Sequence, residues 1–494
     1  MPIYGIALCD AGFEAVALGT NDGEIKPVQP EGGEGPLGWM GLAYHDGQKF
    51  WFGRRAEDAW LVHPRQVSHN FWGRLSRETA QLAVAGKHPS FSQLAYYFLR
   101  DLQDTLTAAG PMEKVALAVP GAYLKDAATE DEKIGLLLGM AAELKLPLAG
   151  VVDMACASLG DPRVDYFDSS LPVLVVDVHL HGAEITLLRS RREGELAREG
   201  FSLLPQSGYA ELLRHVTTSM GNRFLRHTTF DILEDGRIEQ AFYRQCKQFV
   251  LSRASEHRFQ INTANRAYEL TATREQLAAD TAAFTQAIVA GAQALLPRVG
   301  GRVEPCTVAL SERTALLPGI AARFRAAGLP RVLRLPSGAA ATGAARLAAQ
   351  RPVAADLSEI PVDTVAPQVA ERAGRKADLS LRVLKGRSSG DGVPPPTHAI
   401  CEGLGHVLNG HASFTIGVRG TGVDLPLPED FIAAGSNCRV RLERDAGRWW
   451  LLDEDQTDAA GRTAMEAGDR LVLRCGDAES EVLFAHCAPA HHRS

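Results

Sequence analysis

At 494 residues the chain exceeds what one hydrophobic core organises, so two or more domains are expected. A content of 45% hydrophobic and 22% charged residues excludes wholesale disorder, and a net charge of -7 gives no global attraction to nucleic acid or an anionic membrane. No run approaches the roughly 18 apolar residues of a membrane span; Met1 to Ile6 lacks a basic start and an apolar stretch, and the eight cysteines show no CxxC, so a cytoplasmic protein with reduced thiols is expected.

Ile3 to Leu18 alternates apolar and polar residues through a Cys9-Asp10-Ala11-Gly12 turn, the pattern of a β-hairpin. Ser92 to Ala108 has helical spacing, with Leu94, Tyr97, Phe98, Leu102 and Leu106 on one face. Val115 to Val119 reads as a buried strand stopped by Pro120, Asp131 to Leu144 as an apolar helix, Val151 to Asp153 as a strand and Met154 to Leu159 as a helix opening. The run Val173 to Asp177 then leads through Val178-His179-Leu180-His181-Gly182 into a second alternating strand, again a hairpin. A turn that grips phosphate needs consecutive glycines, whose backbone N–H groups approach the oxygens. Here two imidazoles and a leucine fill that place.

Tyr209 to Leu296 is mostly helical in pattern, interrupted by strand-like Phe259 to Leu270. Val308 to Leu310 reads as a strand and Ala315 to Ala327 as a helix, so residues 1–349 are expected to form an α/β domain. Residues 350–397, with Ser388-Ser389-Gly390-Asp391-Gly392-Val393-Pro394-Pro395-Pro396, read as a linker or extended excursion. Residues 398–488 hold short alternating segments between Gly and Asp turns, the pattern of a small all-β sandwich, and 489–494 form a tail.

The order of segments over residues 1–349 resembles the nucleotide-binding domain of the Hsp70 chaperone family, within the actin-like ATPase fold. Ala118 to Tyr123 is similar to the family's "AVPAYF", Val151 to Leu159 to "INEPTAAAL" and Pro336 to Ala345 to "PDEAVAYGAA". The resemblance implies a cleft for ATP or ADP with magnesium, lined here by Asp10, Gly12, Asp153, Asp177, His179, His181, Gly182 and Ser311. The family's contact residues are thinned. Ala7 stands at the magnesium-orienting Asp, Cys9 at a glycine, Asp10-Ala11 at the phosphate-cradling threonines and Gly73 at the catalytic lysine. His179, Leu180 and His181 replace three glycines, and Gly182 replaces a threonine. Lys247, Val250 and Leu251 stand at the nucleoside clamp, and Ala309 to Arg313 replaces "GGSTR".

Phosphoryl transfer depends on positioning and charge neutralisation, so these losses lead to the expectation of a pseudo-ATPase with no catalytic residue. The alternatives are nucleotide binding through Asp177, Gly182 and Ser311, a weak ATPase with metal around Asp10, Asp153 and Asp177, and a small-molecule sensor re-lined by His179, His181 and Val250. His179 and His181 would share one face of a strand, which raises a metal pair as one reading and two polar residues at a hairpin tip as the other. The spacing names no third ligand.

From Ala399 onward the chain resembles a forkhead-associated (FHA) domain, a β-sandwich that reads phosphothreonine; Phe414-Thr415-Ile416-Gly417, Ser436-Asn437-Cys438-Arg439 and Arg448 to Asp453 carry the likeness. Val418 stands at the family's Arg with Arg419 next to it, Ser436 is retained, Arg439 stands at the His, and Thr457 falls in the turn that is Ser-x-Asn-Gly in the family. Arg419 and Arg439 keep the fork chemistry for a phosphate, and a fold-only module is the other reading. No Hsp70 client-binding half follows. The resemblances together imply a cytoplasmic scaffold or regulator that binds an active Hsp70 relative or a phosphothreonine protein, not nucleic acid or membrane.

Overall fold

The computed structural model describes residues 2–19, 24–29, 35–82, 88–108, 110–164, 167, 169–192, 195–252, 254–263, 266–299, 302–357, 360, 362–366, 380–386, 394–401, 404–409, 411, 413–417, 423–427, 439–445, 448–452, 462–475 and 478–487. The chain divides into two units, Met1–Val369 and Ala370–Ser494.

The opening apolar run Ile3–Ala7 (β1) is buried throughout and pairs antiparallel with Glu14–Leu18 (β2), which pairs antiparallel with Ile25–Val28 (β3). On its other side β1 pairs parallel with Lys114–Val119 (β4), and β4 pairs parallel with Leu148–Asp153 (β5). The second sheet repeats this plan. Val173–Val178 (β6), Gly182–Arg192 (β7) and Glu195–Pro205 (β8) form an antiparallel meander. Then β6 pairs parallel with Thr307–Leu310 (β9), which pairs parallel with Arg331–Arg334 (β10). The orders β3-β2-β1-β4-β5 and β8-β7-β6-β9-β10 are therefore the same path drawn twice, with Val362–Asp363 (β11) added beside β5. The first unit is α/β.

Helices cover both sheets. Gly53–Ala59 (α1), Phe91–Ala108 (α2), Ala127–Glu143 (α3) and Met154–Leu159 (α4) belong to the first half. Tyr209–Thr228 (α5) and Gly236–Leu251 (α6) belong to the second. On α2 the expected stripe of Leu94, Phe98, Leu102 and Leu106 is buried, while Tyr97 lies at its edge and stacks on Phe50. Helix α3 starts four residues before its apolar run because the Asp126 carboxylate accepts from Thr129 N, an N-cap. The expected helix over 315–327 is instead two, Glu312–Ala315 and Ile320–Ala326, broken at Pro318-Gly319, where Gly319 has φ +74°.

Ala339–Gln350 (α7) lies against β1 and α4 so closely that only glycines fit at two contacts. A Cβ on Gly5 would sit 1.9 Å from Ala341 O, and one on Gly343 would sit 1.9 Å from Ala157 O. Among the described residues, no helix is long and apolar enough to cross a membrane.

The stretch read as a linker, 350–397, is drawn into sheets near both ends. Val362–Asp363 extends the first sheet and Val365 bridges Ala197. Ser380–Leu384 (β12) opens the second unit. There follow His398–Cys401 (β13), Leu404–Val407 (β14), Ser413–Gly417 (β15), Leu425–Pro426 (β16), Arg439–Asp445 (β17), Arg448–Leu452 (β18), Arg462–Met465 (β19), Arg470–Cys475 (β20) and Ala478–Ala485 (β21). They form two five-stranded sheets, β12-β20-β21-β13-β14 and β16-β15-β17-β18-β19. Both contribute to one apolar cluster, including Ala399, Phe414, Ile416, Leu442, Trp449 and Phe484.

Candidate functional site

Parallel pairing of β6 with β9 sets Val176 opposite Leu310, so the residues that follow, Asp177 and Ser311, come out side by side. Ser311 Oγ donates to Asp177 Oδ1 at 2.6 Å, and its oxygen accepts from Thr314 N to cap the helix Glu312–Ala315. That cap delivers Arg313, whose side chain is 3% exposed. Its Nε donates to Asp177 Oδ1 (2.8 Å), its Nη2 to Asp177 Oδ2 (3.1 Å) and its Nη1 to the carbonyl of Gly12 (3.0 Å). One guanidinium thus ties the hairpin turn of the first sheet to the strand end of the second. Burial alone would lift Asp177, but the Arg313 and His179 charges and the bonds from Arg313 and Ser311 together outweigh it and hold the carboxyl below its ordinary range. Burial pushes Glu14, 3.6 Å from Arg313 Nη1, up to about 7.

The turn after β6 carries His179 into the middle of this cluster. Its Nδ1 lies 3.7 Å from Asp10 Oδ1, and its Nε2 lies 3.6 Å from Asp177 Oδ2 and 3.7 Å from Glu184 Oε2. Burial pulls the imidazole down, but Cys9, Glu184 and Asp177 around it win and lift it well above its usual range. Asp10 Oδ1 accepts from Leu180 N at 2.8 Å, a second link between the two turns. Glu184, on β7, accepts from Gly121 N (2.7 Å) and Ala122 N (3.2 Å) in the turn after β4. Asp153 is fully buried; it caps α4 through Ala155 N and Cys156 N and pairs with Arg198 Nη1 at 2.8 Å. Gly12 is required by contact, since a Cβ there would sit 2.2 Å from Pro36 O. Gly182 O accepts from His179 N at 2.8 Å, which closes the tight turn.

His181 parts company with His179. Its Nε2 lies 2.7 Å from His69 O and 3.1 Å from His69 Nδ1, with Glu211 4.0 Å from its other nitrogen. A shared metal on these two histidines is therefore excluded as the geometry stands: a turn, not a strand, connects them, and they serve different partners. His69 is lowered to about 4 by burial and by the neighbouring His181.

The two halves also meet between α6 and α1. Lys247 Nζ, on α6, donates to both oxygens of Glu57 on α1 (2.7 and 2.9 Å) and to Leu37 O (3.0 Å). Gln240 adds bonds to Glu57 O (2.9 Å) and from Leu61 N (3.0 Å). Gly73 stands where the resemblance places a lysine, and α3 brings Lys133 to the neighbouring Leu75 carbonyl at 3.2 Å. Beside these groups lies a cavity of about 20 Å³, lined by Gly121, Ser158, Asp177, His179, Glu184 and Ser311 among others. That is room for about one water molecule.

Of the eight cleft residues read from the sequence, Asp10, Gly12, Asp153, Asp177, His179, Gly182 and Ser311 converge on this network, and His181 faces away from it. Arg313, Arg198, Glu184 and Cys9 belong to it and were not among them. Glu184 carried a signal: a carboxylate two residues into a strand whose neighbours Ala183, Ile185 and Leu187 are apolar. In the second unit Arg419, Ser436 and Thr457 lie outside the described residues. Arg439 opens β17 opposite Gly417, and its side chain is likewise outside the description. No family model matches the chain, and no curated protein matches it.

Proposed function

We propose that the first unit is an actin/Hsp70-type ATPase fold whose cleft is closed by its own side chains, and that the chain works as a non-catalytic scaffold or regulator. The observation that carries this reading is Arg313. A guanidinium fixed on Asp177 and Gly12 O holds the place between the two hairpin turns where phosphate and magnesium would lie in such a fold. The twice-drawn strand order supports the fold, and a cavity with room for about one water disfavours both a triphosphate and a re-lined small-molecule pocket. Lys247, satisfied by Glu57, has no free N–H to offer an adenosine beyond those three contacts.

Calorimetry of the full-length protein with ATP and ADP, with and without magnesium, tests this. The expected result is no heat of binding at millimolar nucleotide. Micromolar affinity together with a nucleotide-dependent rise in melting temperature would sink the closed-cleft reading.

The partner class follows from the second unit, read as an FHA-like module that uses Arg419, Ser436, Arg439 and Thr457. Its support is the two-sheet architecture and the register that sets Arg439 beside Gly417, two positions before Arg419 in the chain. Phosphothreonine peptides are expected to bind, and joint Arg419→Ala and Arg439→Ala replacement to weaken them by about tenfold or more, as loss of charge-assisted forks does. A phosphothreonine library without any binder reduces the unit to an interaction module for unmodified protein, an active Hsp70-type relative being the partner to try.

A further inference from the structure

Two of the four carboxylates nearest the cavity have an arginine of their own: Asp177 has Arg313 and Asp153 has Arg198. The other two, Asp10 and Glu184, accept backbone N–H groups and share His179 between them. The His179 side chain is 9% exposed, yet its Nε2 has no hydrogen-bond partner among the described residues. That nitrogen faces Asp177 Oδ2 at 3.6 Å and Glu184 Oε2 at 3.7 Å, too far for hydrogen bonds. The His179–Asp177 spacing is that of two donors around one ion with bonds of roughly 2.1 Å. One donor atom each from Cys9, Asp177 and His179 also lies within 4.8 Å of the other two.

We propose that Cys9, Asp177 and His179 hold a single divalent ion of the zinc class, as a structural tie between the two sheets, with Glu184 beside the His179 ligand. Thiolate, imidazole and carboxylate together form the donor set that zinc accepts. Cys9 comes from the turn after β1, and the other two come from β6 and the turn after it. The ion therefore joins the same two turns that Arg313 joins. Arg313 sits behind Asp177 and orients it, as outer-sphere partners of metal ligands do. Binding releases the Cys9 thiol proton, and any proton on His179 Nε2, to solvent. The inference stands apart from the scaffold reading, because side chains alone supply the ligands and no phosphate takes part.

The test uses the full-length protein, analysed for metal as purified, then stripped and titrated with Zn²⁺ and Co²⁺. One equivalent of ion is expected, with a rise in melting temperature on reloading and a thiolate-to-cobalt absorption band in the Co²⁺ form. Cys9→Ser is expected to abolish that band and weaken Zn²⁺ by at least about tenfold, and His179→Gln to weaken it similarly. Should His179→Gln fail to fold, Cys9→Ser, which exchanges one buried atom, still decides the matter. Substoichiometric metal with no thermal response to excess Zn²⁺ would overturn the proposal. So would Zn²⁺ binding unchanged in Cys9→Ser.

Discussion

Arg313→Ala is expected to lower the unfolding free energy of the first unit by about 3–5 kcal/mol, the range for breaking a buried ion pair from one side. The replacement removes two bonds to Asp177 and one to Gly12 O, and leaves Asp177 buried without its cation. Lost attraction is the smaller part of the effect. The larger part is a carboxylate that must stay charged in a place water hardly reaches, or take up a proton. The double replacement Arg313→Met with Asp177→Leu should recover part of the loss, since the orphaned Asp177 charge is gone while Glu14 and Ser311 still lose a partner. Urea unfolding of the three full-length proteins measures this. A loss below about 1 kcal/mol for Arg313→Ala, the scale of an exposed ion pair, would mean that the guanidinium does not hold the cleft shut.

The same pair changes what Asp177 means. As the relict of an inactive phosphate site, Asp177 would be free to vary, and its replacement by Ala harmless. Bound to Arg313 and Ser311, it is part of the fold, so Asp177→Ala acts first on stability. An effect of that variant in cells is therefore no sign of catalysis unless folding is measured beside it.

Elements with a strong local signal were legible in the sequence: the hairpin through Cys9-Asp10-Ala11-Gly12, the strand ending at Asp177, and helix α4 capped by Asp153. The carboxylates at the turns were legible only through the resemblance, which aligns Asp10, Asp153 and Asp177 with contact positions of the Hsp70 family. Their partners were not. Arg313 lies 136 positions from Asp177 and Arg198 lies 45 from Asp153, and only the pairing of strands brings each pair together. Distance in sequence also hid Val362–Asp363. Two residues in a stretch of little periodicity carry no strand pattern, and their place beside Val151 and Val152 is supported by Arg351 bonded to Asp363. At Pro318-Gly319 the two helix-breaking residues sit within apolar spacing that runs on at helical intervals, so the pattern reads as one helix.

Lys247→Met is expected to loosen the two halves without unfolding either. Methionine keeps the length of the stem and removes the charge, so Glu57, whose side chain is 9% exposed, loses its cation while the packing around it stays. The cost is about 2–4 kcal/mol, somewhat below that of a fully buried pair because both side chains keep some contact with solvent. Gln240 and the more exposed Arg244–Asp58 pair remain as links between α6 and the first half, so the change should stay local. Amide exchange distinguishes the outcomes. Faster exchange confined to α1, the following residues 60–63 and α6, with β1 and β6 still protected, marks an opening of the halves. Uniform loss of protection would show that Lys247 supports the whole unit instead. If the halves open, the variant also becomes the sharper reagent for the nucleotide question. A fold that still binds no ATP with its outer clamp released is closed at Arg313 and His179, and its use lies on its surface.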